Sequence, residues 1–294
     1  MRYFSSPKKR SAYLLFELAI SLLVLMVLMQ FLFPLLANAR HQSSDKIRLL
    51  DRLELKAAVM DHFQSQLAPL FFKACGNGNS DYIEIGRAID NLPERISHKA
   101  LLEGSDWLNA SQNAQCNYPL TMTSLTPTLA YSCDWDVGDI VVFSSCNISA
   151  KGLITQVKSA STDFSFSNAA LLGASGIVLS QQGFIWYLAD GKSDDAFWRT
   201  PSLSGNSLEL WSGITKLSIY PLLDLDDNGA LDTLVSEYGV YQVSQLKGLW
   251  LELLVKQMPC RHQDTVSMEE YLNHRGDIWL YNARCEFPVS FVVN

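Results

Sequence analysis

The residues Lys8-Lys9-Arg10-Ser11-Ala12-Tyr13-Leu14-Leu15-Phe16-Glu17 lead into an apolar run from Tyr13 to Ala37, whose only charged member is Glu17. The run from Tyr13 is about 25 residues long, enough for a helix to span a hydrocarbon core of roughly 30 Å. Arg2, Lys8, Lys9 and Arg10 precede it, and no Asp or Glu stands among the residues before Tyr13. Positive charge on that flank predicts a cytoplasmic N-terminus, a single membrane pass and an exported body after Arg40.

Glu17 is the anomaly in this run. An unpaired carboxylate within lipid costs roughly 2.5–3.5 kcal/mol. It either snorkels to the headgroups or finds a cationic partner. A basic leader, a small residue, an aromatic residue and then Glu, in this order from Lys8 to Glu17, resemble the type IV prepilin signal. The resemblance implies cleavage after Ala12 by a prepilin peptidase, N-methylation of Tyr13 as the new N-terminus, and Glu17 in fifth place. Ala12 and Tyr13 stand where the family more commonly has Gly and Phe.

Pro34 lies where many type IV pilins carry a helix-kinking proline, and reads equally as the end of the membrane span; its missing donor predicts a bend or local melting. In the family, the glutamate of one subunit pairs with the N-terminal ammonium of its neighbour inside an apolar filament core. Each charge buried alone is costly, so an incoming subunit in the correct register relieves both. Glu17 and Pro34 are therefore the expected assembly residues. Other pilin and minor pilin subunits, an inner-membrane assembly platform and membrane lipid are the implied partners.

Beyond Ala37 the helical pattern continues, with Leu50, Leu53, Ala57, Met60, Phe63 and Leu67 recurring at three- and four-residue steps. One helix from Leu14 to about Ala68, stopped by Pro69, is on the order of 80 Å long. Residues 76–130 are rich in Asn, Gly, Ser, Thr and Pro and read as loops with short pieces of structure. Strand signals follow at Asp139–Phe143, Leu153–Val157, Gly176–Leu179, Gly183–Leu188, Lys216–Tyr220, Leu249–Val255, Asp277–Tyr281 and Phe287–Val293. Leu179-Ser-Gln-Gln-Gly-Phe184 reads as a hairpin connection. The expected fold is α+β and pilin-like: a long N-terminal helix, membrane half plus amphipathic half, packed on a mainly antiparallel sheet. The expected segments are a leader over 1–12, a membrane or filament-core helix over 13–37, its amphipathic continuation over 38–74, and a disulfide-bonded β-rich domain over 75–294.

All six cysteines, Cys75, Cys116, Cys133, Cys146, Cys260 and Cys285, fall on the exported side, where disulfides persist. None has the CxxC spacing of a zinc ribbon or redox site. Proximity in sequence favours Cys133 with Cys146 and Cys260 with Cys285, leaving Cys75 with Cys116.

Asp224-Leu-Asp226-Asp-Asn228-Gly229-Ala-Leu-Asp232 matches the first half of a calcium loop: hard oxygen donors at alternating positions, then Gly at the sharp turn. Val235 stands at the twelfth position, where an EF-hand needs a bidentate Glu, so a full EF-hand is rejected. Asp232 or Glu237 is left to close a weaker site. The same residues suit an Asx-rich turn. No cofactor is required, and calcium is the one ion the loop suggests beside the plain-turn reading. Around the loop, Trp186-Tyr187-Leu188, Phe197-Trp198-Arg199, Leu208 to Ile214 and Leu246 to Val255 follow one another in an order that resembles PilW-type minor pilins. This implies a minor subunit that primes or caps a pilus, and places it at the inner membrane or the pilus tip.

A net charge of −7 argues against direct nucleic-acid binding. The chain has no G-x-G-x-x-G, P-loop, nucleophile elbow or H-E-x-x-H, so an enzyme is not expected. Asp134, Asp136 and Asp139 around Trp135 read as a sugar-binding or glycosidase-like cluster or, more commonly, as solvated turn residues. The rival readings are a type II secretion minor pseudopilin, and a periplasmic enzyme or binding domain held by an uncleaved anchor.

Overall fold

The computed structural model describes residues 8–71, 82–131, 133, 135–145, 147–226, 228–257 and 267–294. The chain divides into two units, Met1–Ala57 and Ala58–Asn294. Helix α1 (Lys8–Leu67) belongs to the first unit for most of its length. It contains no Gly, is rich in Leu, Ala and Met, and runs through Pro34 without interruption. The local melting expected at Pro34 therefore does not occur. Pro69 lacks an N–H and restricts Ala68, so regular helix ends at Leu67 and the chain tightens into a 3-10 turn over Ala68–Phe71.

The second unit is built from strands: β1 (Tyr82–Arg87), β2 (Asp106–Thr121), β3 (Thr128–Leu129), β4 (Ile140–Ser144), β5 (Ser149–Lys158), β6 (Ser161–Phe166), β7 (Ser175–Asp190) and β8 (Asp195–Pro201). These are followed by β9 (Leu208–Ser212), β10 (Ile214–Leu223), β11 (Thr233–Leu234), β12 (Gly239–Gln242), β13 (Leu246–Lys256), β14 (Met268–Leu272), β15 (Ile278–Asn282) and β16 (Glu286–Val293). A first sheet runs β12-β1-β2-β7-β4-β5-β6-β3, with β8 also on β7 and β9 on β8. A second runs β11-β10-β13-β16, and β14 with β15 makes a hairpin of its own.

The expected α+β class, one long helix laid along one sheet, is overturned. The fold is mostly antiparallel β, with 47% of residues in strands and 24% in helix, and the strands form a large multi-sheet domain. Two physical reasons account for this. Of the apolar stripe meant to receive a sheet, Phe63 and Leu67 are buried, as is Val59 beside them, while Leu50 and Leu53 are exposed. Residues 76–130 also contain β1 and the sixteen-residue β2, whose Asn-, Ser- and Gln-rich sequence carries no strand signal. What makes β2 a strand is pairing to β1 on one side and to β7 on the other. Propensity in strands reflects such surroundings more than backbone preference.

The hairpin expected at Leu179–Phe184 is also corrected, because β7 runs straight through it. Gly183 serves close approach here, since a Cβ at this position would come within 2.9 Å of the Ser202 hydroxyl. β7 serves two neighbours in turn, Ile177–Ser180 pairing with β4 and Phe184–Asp190 with β8, while β2 follows it along the other edge. The first sheet thus forks at Gln181–Gly183.

In the second sheet the period of two is clear in β16, where Val289, Phe291 and Val293 are buried, while β13 is covered on both faces, Glu252 and Leu254 being buried along with Leu251, Leu253 and Val255. Pro288 is tolerated because β16 is an edge strand. The last turns of α1 lie between the sheets. Phe63 stacks on Phe197 of β8 at 4.3 Å and meets Phe291 of β16 edge-on at 6.0 Å. Arg199 donates to Gln66 Oε1 at 3.2 Å and Gln64 to the Asn294 carbonyl at 3.0 Å. Burying one such phenylalanine stabilises the unit by about 1.5–3 kcal/mol.

Candidate functional site

Among the described residues one helical stretch, Phe16–Leu36, is long and apolar enough to cross a membrane. Glu17 stands at its start, exposed, with Leu18, Ser21, Leu22 and Leu25 around it, and the Ser21 hydroxyl donates to the Glu17 carbonyl at 2.9 Å. Pro34 is exposed near the other end. Ala12 and Tyr13 are helical in backbone, and their side chains lie outside what is described. A helix of this composition offers an apolar cylinder with one acid, suited to lipid or to other helices and to a single cationic partner.

The acidic loop between β10 and β11, in the second unit, is closed by its own hydrogen bonds. Asp224 is 1% exposed and accepts from the Asn228 N–H at 3.2 Å and the Gly229 N–H at 2.8 Å. Gly229 adopts φ 88°, which an L side chain resists, and this turns the chain back over Asp224. Asp232 accepts from the N–H of Leu225 at 2.6 Å, and Asn228 Oδ1 from that of Ala230 at 2.7 Å. Asp224, Asp226 and Asp232 each bring an oxygen within 4.8 Å of the others. These are the residues that would hold a calcium ion. Lys247 of β13 already sits 2.7 Å from Asp224, and its hydrogen bond holds that carboxyl below the usual carboxylate range. Asn228 spends its side-chain oxygen on the loop backbone, and Glu237 is not in the cluster.

Sequence reasoning missed the buried polar centre. Asp106 of β2 and Arg275, in the β14–β15 turn, form an ion pair with side chains 1% and 8% exposed. Asp106 also accepts from the Ile219 N–H at 2.7 Å and the Tyr238 hydroxyl at 3.0 Å. Arg275 donates to the carbonyls of Ser236 and Ile219 and lies over the rings of Tyr220 and Tyr238. Burial pushes the Asp106 carboxyl up to about 6, against the pull of Arg275. Nearby, buried Glu252 accepts from Tyr220, Tyr271 and the His274 N–H at 2.7, 2.8 and 3.0 Å. Burial, helped by Glu252, holds both phenols above their ordinary range. These bonds staple the Asn273–Asp277 turn to the second sheet, and Asp106 ties it to the first. The one signal in the sequence was the polar stretch Asn273-His274-Arg275-Gly276-Asp277 ahead of the strand signal that ends at Tyr281.

No protein-family model, curated protein or solved structure matches this chain. Cys133 and Cys285 are each disulfide-bonded, and no described cysteine is free. Cys75, Cys146 and Cys260 lie outside the described residues, as does the Cys116 side chain, so the expected pairings fall there too. Trp135 is buried against Phe164 at 5.5 Å and offers no face to a sugar. Asp134 lies outside the described residues, and Asp139 caps the turn at Asp136.

Proposed function

We propose that this chain is a minor pilin of type IV pilus machinery, a structural subunit that primes or caps a filament through its N-terminal helix. The observation that carries this reading is the helix of the first unit: Phe16–Leu36 is apolar and exposed throughout, with one acid at its start. Apolar surface of this extent needs lipid or neighbouring helices around it. Lipid alone leaves Glu17 with a cost of a few kcal/mol. A neighbouring subunit whose leader has been removed presents an N-terminal ammonium, and pairing relieves both charges. On this reading the chain enters the inner membrane with its leader in the cytoplasm, is processed between Ala12 and Tyr13, and carries its β-rich body outside. Incorporation into filaments tests it: Glu17→Ala inserts into membranes at the wild-type level and enters filaments at least about tenfold less often, the scale of an unmade charge pair. Wild-type incorporation of that variant would sink the proposal.

A further inference from the structure

The fork in the first sheet opens a cleft. Where β7 leaves β4 and has not yet met β8, a space of about 400 Å³ lies beside Gln181–Gly183, between β2 and the loop after Pro201. This volume is in the range of small-molecule sites, roughly 300–1,000 Å³. The second unit contains all of it, and the filament reading makes no use of it.

We infer that this cleft binds a neutral, hydroxyl-rich ligand, a short saccharide. The first ground is the lining. Ser111, Gln182 and Ser204 line the cleft, Ser111 on the face of Gly183 and Gln182 from the opposite face of β7 at the fork, and none of the three makes a side-chain hydrogen bond among the described residues. Hydroxyls and primary amides both donate and accept, as sugar hydroxyls do. The second ground is charge: the lining carries one acid, Asp139, and one base, Lys151, so its formal charge is zero. A phosphate or sulfate ligand finds no cationic cradle there.

The third ground is that the wall is already built, so little ordering is lost on binding. Arg95 donates to the carbonyls of Pro201 and Gly205, Ser202 donates its N–H to the Gly183 carbonyl at 2.8 Å, and the Ser202 hydroxyl reaches Asn109 Oδ1 at 3.3 Å. That Ser202 bond also argues against an added peptide strand. The gap along β7 spans three residues, Gln181 to Gly183, and the last carbonyl is taken. Leu203 on the rim is 79% exposed and supplies an apolar surface for the C–H face of a sugar ring.

The test uses the full chain in detergent on an array of neutral di- to hexasaccharides, with sulfated and phosphorylated oligosaccharides as comparison arms. Gln182→Ala removes a donor and acceptor at an exposed position; Ser204→Trp fills the mouth. The expected result is retention of at least one neutral oligosaccharide, weakened roughly five- to tenfold by Gln182→Ala and abolished by Ser204→Trp, with melting temperatures unchanged. Three results overturn the inference: no neutral oligosaccharide retained, binding unaltered in both variants, or preference for the anionic arms. Filament incorporation of both variants stays at the wild-type level, so loss of the saccharide site leaves the filament proposal intact, and the converse holds.

Discussion

Arg275→Met removes one partner of the most deeply buried ion pair described in the second unit. The side chain pairs with Asp106 and donates to the carbonyls of Ile219 and Ser236, so it holds β2, β10 and the β14–β15 turn together. Methionine keeps the apolar stem but leaves Asp106 charged, buried and without its cation. Breaking a buried pair from one side costs about 3–5 kcal/mol. At a urea dependence of about 2–3 kcal/mol per molar, the unfolding midpoint falls by roughly 1–2.5 M. The assay is urea unfolding of the full chain in detergent, followed by tryptophan fluorescence.

In an Asp106→Asn background the same substitution strands no charge, and its cost falls to about 1–2 kcal/mol, a coupling of about 1–4 kcal/mol. The pH dependence carries a sign. Burial raises the Asp106 carboxyl to about 6 even beside Arg275, and losing the guanidinium raises it further. A carboxyl raised in the folded state adds stability below its unfolded value near 4, and that stability is lost as pH rises through the folded value. The penalty of Arg275→Met is therefore largest at pH 7–8 and shrinks towards pH 4–5. A loss under 1 kcal/mol, or equal losses in the two backgrounds, would refute the staple.

A calcium ion on the Asp224–Asp232 loop has to compete with Lys247 for Asp224. Lys247→Met removes the competitor: the melting temperature falls in chelator and recovers in millimolar calcium by more than the wild type gains, and a flat calcium response in both proteins would leave a plain turn. Asp224 is held below the usual carboxylate range, so its contribution is present above about pH 4 and lost as pH falls through the lowered value. Asp224→Asn accordingly loses stability at neutral pH and flattens the acid limb of a stability–pH curve, and an unchanged limb would count against that assignment.

What was legible in the sequence follows the strength of the physical signal. The apolar helix and its stop at Pro69 were plain, because length, lack of glycine and proline chemistry act locally. Strands β10, β13 and β16 were plain too, since their Leu, Val, Ile and Phe form short apolar runs bounded by turn residues. Polar β2 was invisible, because Asn, Gln and Ser hold a strand only once β1 and β7 lie beside them. The Gln181–Gly183 stretch imitated a turn, and only the nearness of Ser202 explains its glycine. Of the candidate loop residues, Asp224, Asp226 and Asp232 lie together, while Asn228 bonds the loop backbone, an arrangement that an Asx-rich turn shares. The Asp106–Arg275 pair lay beyond reach, since 169 residues separate its members and no local pattern links them.

The N-terminus of the protein recovered from membranes is the most direct test of a filament subunit. Intact-mass measurement should give a chain that lacks Met1–Ala12, begins at Tyr13 and carries one added methyl group, so that its ammonium is free to meet a neighbour's Glu17. A chain that still begins at Met1 would contradict the filament role and leave a β-rich domain tethered by an ordinary anchor.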